Sequence, residues 1–445
     1  MIPIPQPSER GSNAKRIATE RHSQWLVTAF IGSGMLFMLL PGTFLGVWNL
    51  IGISQHRTLG SISPQWMQAH GQAQVFGWIG SFILGIGFYS LTKMQSTLSF
   101  PVRAGWTAWI LWNMGIALRW VGGVTGYRWR TLLPLSGLLE LIAFLLFYRA
   151  VRQHRPINVI QRPETWMRVV MAGTIAFLVD LVVNFAALAA LALHGDSPAL
   201  PHVLDQQLVV LAVWGVLVPS IWGFNARWLP IFAGFKKPDD VRLLVAYGLS
   251  LAGIAAVFLQ WLSISAAAFF LAALLSVDAL HVWERAIKPA KLLHVHPKFP
   301  VFIRIAYVWL VVSTLLDALA VLYDHEGGIW GASRHALTVG FIAGMVFAIG
   351  QRVLPAFCGM RLLWSTRLMF WSLALLHVGC ALRVILEPLS YEHYWTFAWK
   401  LLPFSALVEL TAVALFALNL IGTLLQPPAH LRTEIHSIFS ARGAA

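Results

Sequence analysis

The chain has 445 residues, of which 58% are hydrophobic and only 11% charged, with a mean hydropathy of +0.69 and a formal net charge of +14. Soluble domains carry about 25% charged residues, so this composition argues against a water-soluble fold and for a bilayer as solvent. The two cysteines, Cys358 and Cys380, form no C-x-x-C, which argues against a disulfide scaffold or an iron–sulfur site.

Residues 1–24 are polar and are expected to form a cytoplasmic N-terminal segment. The apolar stretch that follows starts too late and runs too long for a cleaved signal peptide. A membrane span needs roughly 20 apolar residues. On that basis spans are predicted near 25–53, 66–91, 104–121, 131–150, 167–193, 203–222, 241–260, 262–283, 301–323, 333–354, 369–387 and 396–425, followed by a cytoplasmic tail, 426–445. The division of 241–283 rests only on the polar pivot Gln260–Trp261. The expected fold is an all-α integral membrane protein of about twelve transmembrane helices. The 21 tryptophans suit the membrane–water interface, where the ring is buried and the N–H stays wet.

Lysine and arginine concentrate on the cytoplasmic side of membrane proteins. With the N-terminus inside, the basic residues fall on that side except for Arg57, Arg119, Arg128, Arg130, Arg334, Arg383 and Lys400. An even number of spans, with both ends in the cytoplasm, fits this distribution. The positive charge is therefore a topology signal, and no nucleic-acid partner is expected.

The predicted sixth and tenth helices end alike, in Arg227-Trp-Leu-Pro230-Ile-Phe232-Ala-Gly234 and Arg352-Val-Leu-Pro355-Ala-Phe357-Cys-Gly359. In each a glycine, Gly215 or Gly340, stands twelve residues before the arginine. The second helix carries a weaker version through Gly77, Gly87 and Leu91. This spacing predicts three pseudo-equivalent groups of four helices, and internal symmetry of this sort is common in membrane proteins. The motif's arginines snorkel to water, and Pro230 and Pro355 are expected to break their helices.

Histidines open the second, sixth and tenth helices: His70, His202 and His335. His377 lies midway along the eleventh. Imidazole is a good ligand for haem iron or copper, and ionisable groups inside a span are functional candidates. A histidine at a helix end can equally sit in the interface with no ligand. Arg119, Arg128, Arg130 and Arg383 cluster on the outer side and could pair with haem propionates, or simply keep loops soluble. Glu140, Asp180, Asp317 and Glu409 fall within spans and are candidates for a proton or ion path, or for structural pairing.

The stretch Ser333-Arg-His335-Ala-Leu-Thr338-Val-Gly340, followed by Arg352, resembles the tenth-helix motif of the NnrS family. His70-Gly-Gln72-Ala-Gln-Val-Phe76-Gly77 resembles an early-helix motif of that family in which a second histidine stands where this chain has Gln72. Arg227 to Phe232 resembles its R-x-[IL]-P-x-F motif. The likeness is spread from the second helix to the twelfth. It implies a twelve-helix protein of a bacterial inner membrane that binds haem and copper. It also implies metal at His70 and His335, a role in nitric oxide and nitrosative stress or respiratory-metal homeostasis, and respiratory or denitrification proteins as partners. It further implies a distant relation to the catalytic subunit of haem–copper oxidases. The predicted seventh helix holds no histidine and the tenth holds one, so a full binuclear centre is excluded. Whether the protein is an enzyme is left open. The alternatives are a metal-free, proton-coupled transporter of a small solute and an oxidase-like protein without a full binuclear centre.

Overall fold

The computed structural model describes residues 7–91, 100–154 and 164–428, with side chains from residue 20 onward. Of the expected terminal segments, residues 1–6 and 429–445 lie outside the described residues, as do Arg155 and Arg162; residues 7–24 are helical and run directly into the first span. Among the described residues there are twelve long helices and no strand. They are α1 (Glu20–His56), α2 (Pro64–Leu91), α3 (Val102–Thr125), α4 (Trp129–Gln153), α5 (Thr165–His194), α6 (His202–Phe232), α7 (Asp240–Phe258), α8 (Leu262–Ala279), α9 (Phe299–Tyr323), α10 (Gly328–Phe357), α11 (Thr366–Tyr391) and α12 (Ala398–Leu425). Eleven of them are long and apolar enough to cross a membrane; the twelfth, α3, has 24 residues and carries Arg103 and Arg119. The fold is thus an all-α membrane architecture.

The packing repeats every four helices. The third and fourth helices of each group, α3–α4, α7–α8 and α11–α12, pack closely on one another, as do the first and second, α1–α2, α5–α6 and α9–α10. The fourth helix of each group then packs on the first of the next: α4 on α5, α8 on α9, and α12 back on α1. This last contact closes the groups into a ring. The second helices, α2, α6 and α10, are the most deeply covered, with 56%, 61% and 67% of their apolar windows buried. Trp78 of α2 meets Phe347 of α10 edge-on at 6.0 Å, and Tyr89 of α2 stacks on Phe357 at 4.8 Å.

The same three helices share a local distortion. Each contains a π-helical stretch: Ala73–Gly80, Leu211–Leu217 and Ala336–Ala343. Gly77, Gly215 and Gly340 each stand fifth in their stretch, so the bulges coincide with the glycines that defined the sequence repeat. A π-bulge adds a residue to a turn and is commonly found at functional sites. The glycines let neighbours close in: a Cβ on Gly77 would lie 2.9 Å from Phe37 Cβ, and one on Gly340 would overlap Trp309.

The shared R-x-L-P-x-F-x-G ending acts differently from the expected proline break. α6 runs two residues past Pro230, and α10 two past Pro355. A proline removes only its own N–H, and residues beyond it still bond back: Ala233 N–H to Leu229 O and Cys358 N–H to Leu354 O, both 2.9 Å. The stop is the glycine. Gly234 (φ 72°) and Gly359 (φ 108°) adopt left-handed backbone. The division at Gln260–Trp261 is present as expected, with Gln260 turned at φ 59° between α7 and α8.

Candidate functional site

The N-terminal ends of α2, α6, α10 and α12 and the C-terminal end of α11 gather polar side chains at one end of the bundle, here called the histidine end. His70 is tied to α1: its Nδ1 bonds Gly42 O at 2.8 Å. Gly42 lies in a further π-helical stretch, Met38–Phe44. Gly46, one turn on, leaves room for the imidazole, since a Cβ there would sit 2.6 Å from His70 Cε1. His335 Nδ1 bonds Gly331 O at 2.9 Å and lies 3.2 Å from Glu387 Oε2. The two rings are within electrostatic reach of each other and of Arg383.

Each imidazole is thus held through Nδ1, which leaves Nε2 for a ligand. A backbone or carboxylate partner on the other ring nitrogen is the arrangement that orients metal-binding histidines. Glu387 is the brace of this side. It faces His335 and also takes a forked pair from Arg383, Nε at 3.0 Å and Nη2 at 3.3 Å. Both members of this ion pair are buried. Gly331 is required beneath them, because a methyl there would overlap Glu387 Oε1. Arg383 Nη1, Glu409 Oε1 and Tyr391 Oη are buried without a hydrogen-bond partner.

The surroundings of Arg383 and Glu409 recur on the other side of the ring. Helix α3 carries Gly115-Ile-Ala-Leu-Arg119 and α11 carries Gly379-Cys-Ala-Leu-Arg383. Helix α4 carries Leu132-Leu-Pro134-Leu-Ser136-Gly-Leu-Leu-Glu140-Leu and α12 carries Leu401-Leu-Pro403-Phe-Ser405-Ala-Leu-Val-Glu409-Leu. The packing is the same as well. A Cβ on Gly115 would lie 2.7 Å from Glu140 Cγ and 2.9 Å from Ser136 O; on Gly379, 2.6 Å from Glu409 Cγ and 3.2 Å from Ser405 O. Counted back from Gly77 and Gly340, Gln72 stands where His335 stands, and its Nε2 donates to Glu140 Oε1 at 3.0 Å. The sequence reading missed this pair of motifs, together with Glu387 and Asp205. The shared G-x-A-L-R, four identical letters in five, and its L-L-P-x-S-x-L-x-E-L companion were legible signals for it.

The remaining candidates lie apart. His202 is exposed at the start of α6, within electrostatic reach of Asp205. His377 is buried between Phe302, which it stacks on at 5.9 Å, and Gly344; neither ring nitrogen has a partner. Arg119 is buried within reach of Glu140 and Asp205, with Nη1 unpartnered. Arg128 and Arg130 are exposed. Arg130 donates to Ala192 O and Gly195 O at 3.0 and 2.9 Å, closing the end of α5. Asp317 faces Arg334, which also reaches Asp205 and Glu387. At the opposite end Arg352 donates to Leu293 O at 2.7 Å and lies over Phe232, while Arg227 pairs with exposed Glu164 at 3.4 Å. The two copies of the R-x-L-P-x-F motif therefore touch, arginine of one on phenylalanine of the other.

Among the described residues no group of three or more histidine, cysteine or acidic side chains could hold a metal ion. The donor set is a pair of imidazoles. Two protein donors do not complete a mononuclear copper cage. They suit haem, whose porphyrin supplies the other four nitrogens.

A family model described as NnrS protein matches residues 28–427. No curated protein matches the chain. A solved structure of a heme-copper terminal oxidase dimer is similar to it, with a TM-score of 0.53 and 14% identity over 92% of this chain and 85% of that one. At that identity the likeness concerns the fold.

Proposed function

The chain belongs to the NnrS family, and on that premise we propose that it is a haem-holding membrane protein serving the response to nitric oxide. His70 and His335 would hold it through their Nε2 atoms. The observation that carries this reading is the matched anchoring of the two imidazoles, each held at Nδ1 and each free at Nε2. Bound haem would supply an iron centre able to exchange electrons or meet nitric oxide. This chain's own residues set its surroundings. Glu387 steadies His335 and, with Arg383, keeps charge beside it in balance. Arg383 Nη1 and Arg119 Nη1, both unpartnered, are the guanidinium groups available to propionates. Arg128 and Arg130, being exposed, are the weaker candidates for that role. Among the described residues copper has no comparable donor set.

A solute path through Asp180, Asp317 and Glu409 draws less support. Their charged neighbours are Glu140, Arg334 and the His335–Arg383 group respectively. Among the described residues no hydrogen bond joins the three.

The reading is tested by haem content. Protein purified from haem-replete cells should contain haem, and cells lacking it should grow more poorly under a nitric oxide donor. Restoration by the wild-type gene but not by His335→Ala is the expected outcome. Haem-free wild-type protein would refute the cofactor, and full rescue by His335→Ala would refute its link to nitric oxide.

A further inference from the structure

The repeat leaves one polar pocket without a histidine. Glu140 stands where Glu409 stands in the other copy, with Gln72 in the position of His335. Facing it from α5 is Asp180. Asp180 is 1% exposed, and neither carboxyl oxygen has a hydrogen-bond partner. Glu140 is equally buried; Gln72 takes one oxygen and the other, Oε2, is unpartnered. The charged group within electrostatic reach of Asp180 is Glu140 itself, and Glu140 in turn reaches Arg119. Arg119 is shared with Asp205 on α6.

Charge decides what this pocket holds. Two buried carboxyls, Glu140 and Asp180, share one guanidinium, Arg119, which Glu140 alone of the two reaches and which also serves Asp205; Asp205 has Arg334 and His202 within reach besides. An uncompensated carboxylate is strongly disfavoured inside a bilayer, because lipid and apolar side chains do not replace its hydration. A metal cation is a poor remedy, because among the described residues no group of three or more candidate ligands exists. A structural aspartate would be hydrogen-bonded. Asp180 is not. A proton needs neither a cage nor space.

We propose that Glu140 and Asp180 form a proton-holding site inside the membrane, which exchanges its proton with the histidine end by way of Asp205, while Arg119 offsets the negative charge left on the pair. The pair carries one negative charge at most. Asp180 is the neutral acid and Glu140 the member that Gln72 and Arg119 stabilise when ionised. Asp205, in the first turn of α6 beside exposed His202, is the outlet, and its reach to Arg334 joins the pocket to the charges around His335. The site stands independently of any haem.

Infrared spectroscopy of the intact protein in lipid nanodiscs reads this directly. At neutral pH the wild-type spectrum should contain the carbonyl band of a protonated carboxylic acid. That band should shift in heavy water, because the proton exchanges. Asp180→Asn should remove it. Asparagine is the isostere of the neutral acid, so Asp180→Asn should also fold with an unchanged Tm. Glu140→Gln should move the band rather than abolish it. A spectrum of Asp180→Asn identical to wild type would overturn the proposal, as would failure of that variant to fold. A band that never shifts in heavy water would overturn the exchange path, and stabilisation of the wild type by sodium but not by protons would assign the pocket to a cation instead.

Discussion

Glu387 is the side chain on which the histidine end turns. It meets His335 at 3.2 Å and Arg383 through two bonds. Removing one member of a buried ion pair costs about 3–5 kcal/mol, because the other charge is stranded. Glu387→Ala should therefore lower Tm by several degrees and free the His335 ring. Gly331→Ala should act in the same direction without touching a charge, since its methyl takes the space of Glu387 Oε1. Thermal unfolding of both variants in detergent checks this; a Gly331→Ala protein as stable as wild type would show that Glu387 is free to move. At this scale the sequence was partly legible. His70, His335, Arg119, Arg383, Glu140 and Asp180 stood out because ionisable groups inside spans need a reason. Glu387 did not, because it lies at the edge of its predicted span and its partner is reached only through the helix turn. Arg128 and Arg130 stood out by charge alone, and charge does not reveal that both face solvent.

At the scale of elements, the sequence marked the ends of α6 and α10 but misattributed what ends them. Proline spacing is visible in the letters; a left-handed glycine is visible only in the backbone. Gly234 is further confined by the chain between α8 and α9, which runs back beneath it: its carbonyl accepts from Ile287 N–H at 2.9 Å, and a Cβ there would overlap the Lys288 backbone. Gly234→Ala should cost at least the roughly 1–2 kcal/mol of a left-handed non-glycine residue, whereas Pro230→Ala should be better tolerated. Comparing the two Tm values is the check. The same connecting segment carries a pH-sensitive bond. Lys236 and His281 both engage Glu284 and hold its carboxyl below the ordinary value. A depressed carboxyl contributes stability that is present above its unfolded pKa and is lost as pH falls through the folded one. Tm should thus decline as pH drops below the usual carboxylate range, and Lys236→Ala should flatten that decline. An unchanged slope in the variant would assign the acid sensitivity elsewhere. The π-bulges were not legible at all, although the glycines they surround were.

Across the whole molecule, α12 packs on α1 and completes a ring of three four-helix groups. The sequence suggested this grouping through one motif pair; the stronger repeat, between the first and last groups, lay unread in α3–α4 and α11–α12. The middle group has no counterpart of Arg119 or Glu140 in α7 and α8, where Gly253 packs on Phe269. That asymmetry explains why polar chemistry gathers on two sides of the ring. Cys358 and Cys380 are both buried, and burial pushes the Cys358 thiol up to about 11, so the native protein offers no background to thiol labelling. Ser197→Cys and Lys291→Cys should react with an impermeant reagent from opposite faces of the membrane, Lys291→Cys from the cytoplasm if both termini lie there. Labelling of both from one face would contradict the twelve-span arrangement.

The rest follows from the grip of His70 and His335 on one haem between them. Its most direct test is the optical spectrum of the purified, haem-replete protein beside those of His70→Ala and His335→Ala. A low-spin, two-histidine spectrum is expected in the wild type, with its loss in either single variant, while His377→Ala keeps it. A wild-type protein without a Soret band, or variants that retain the low-spin spectrum unchanged, would contradict it.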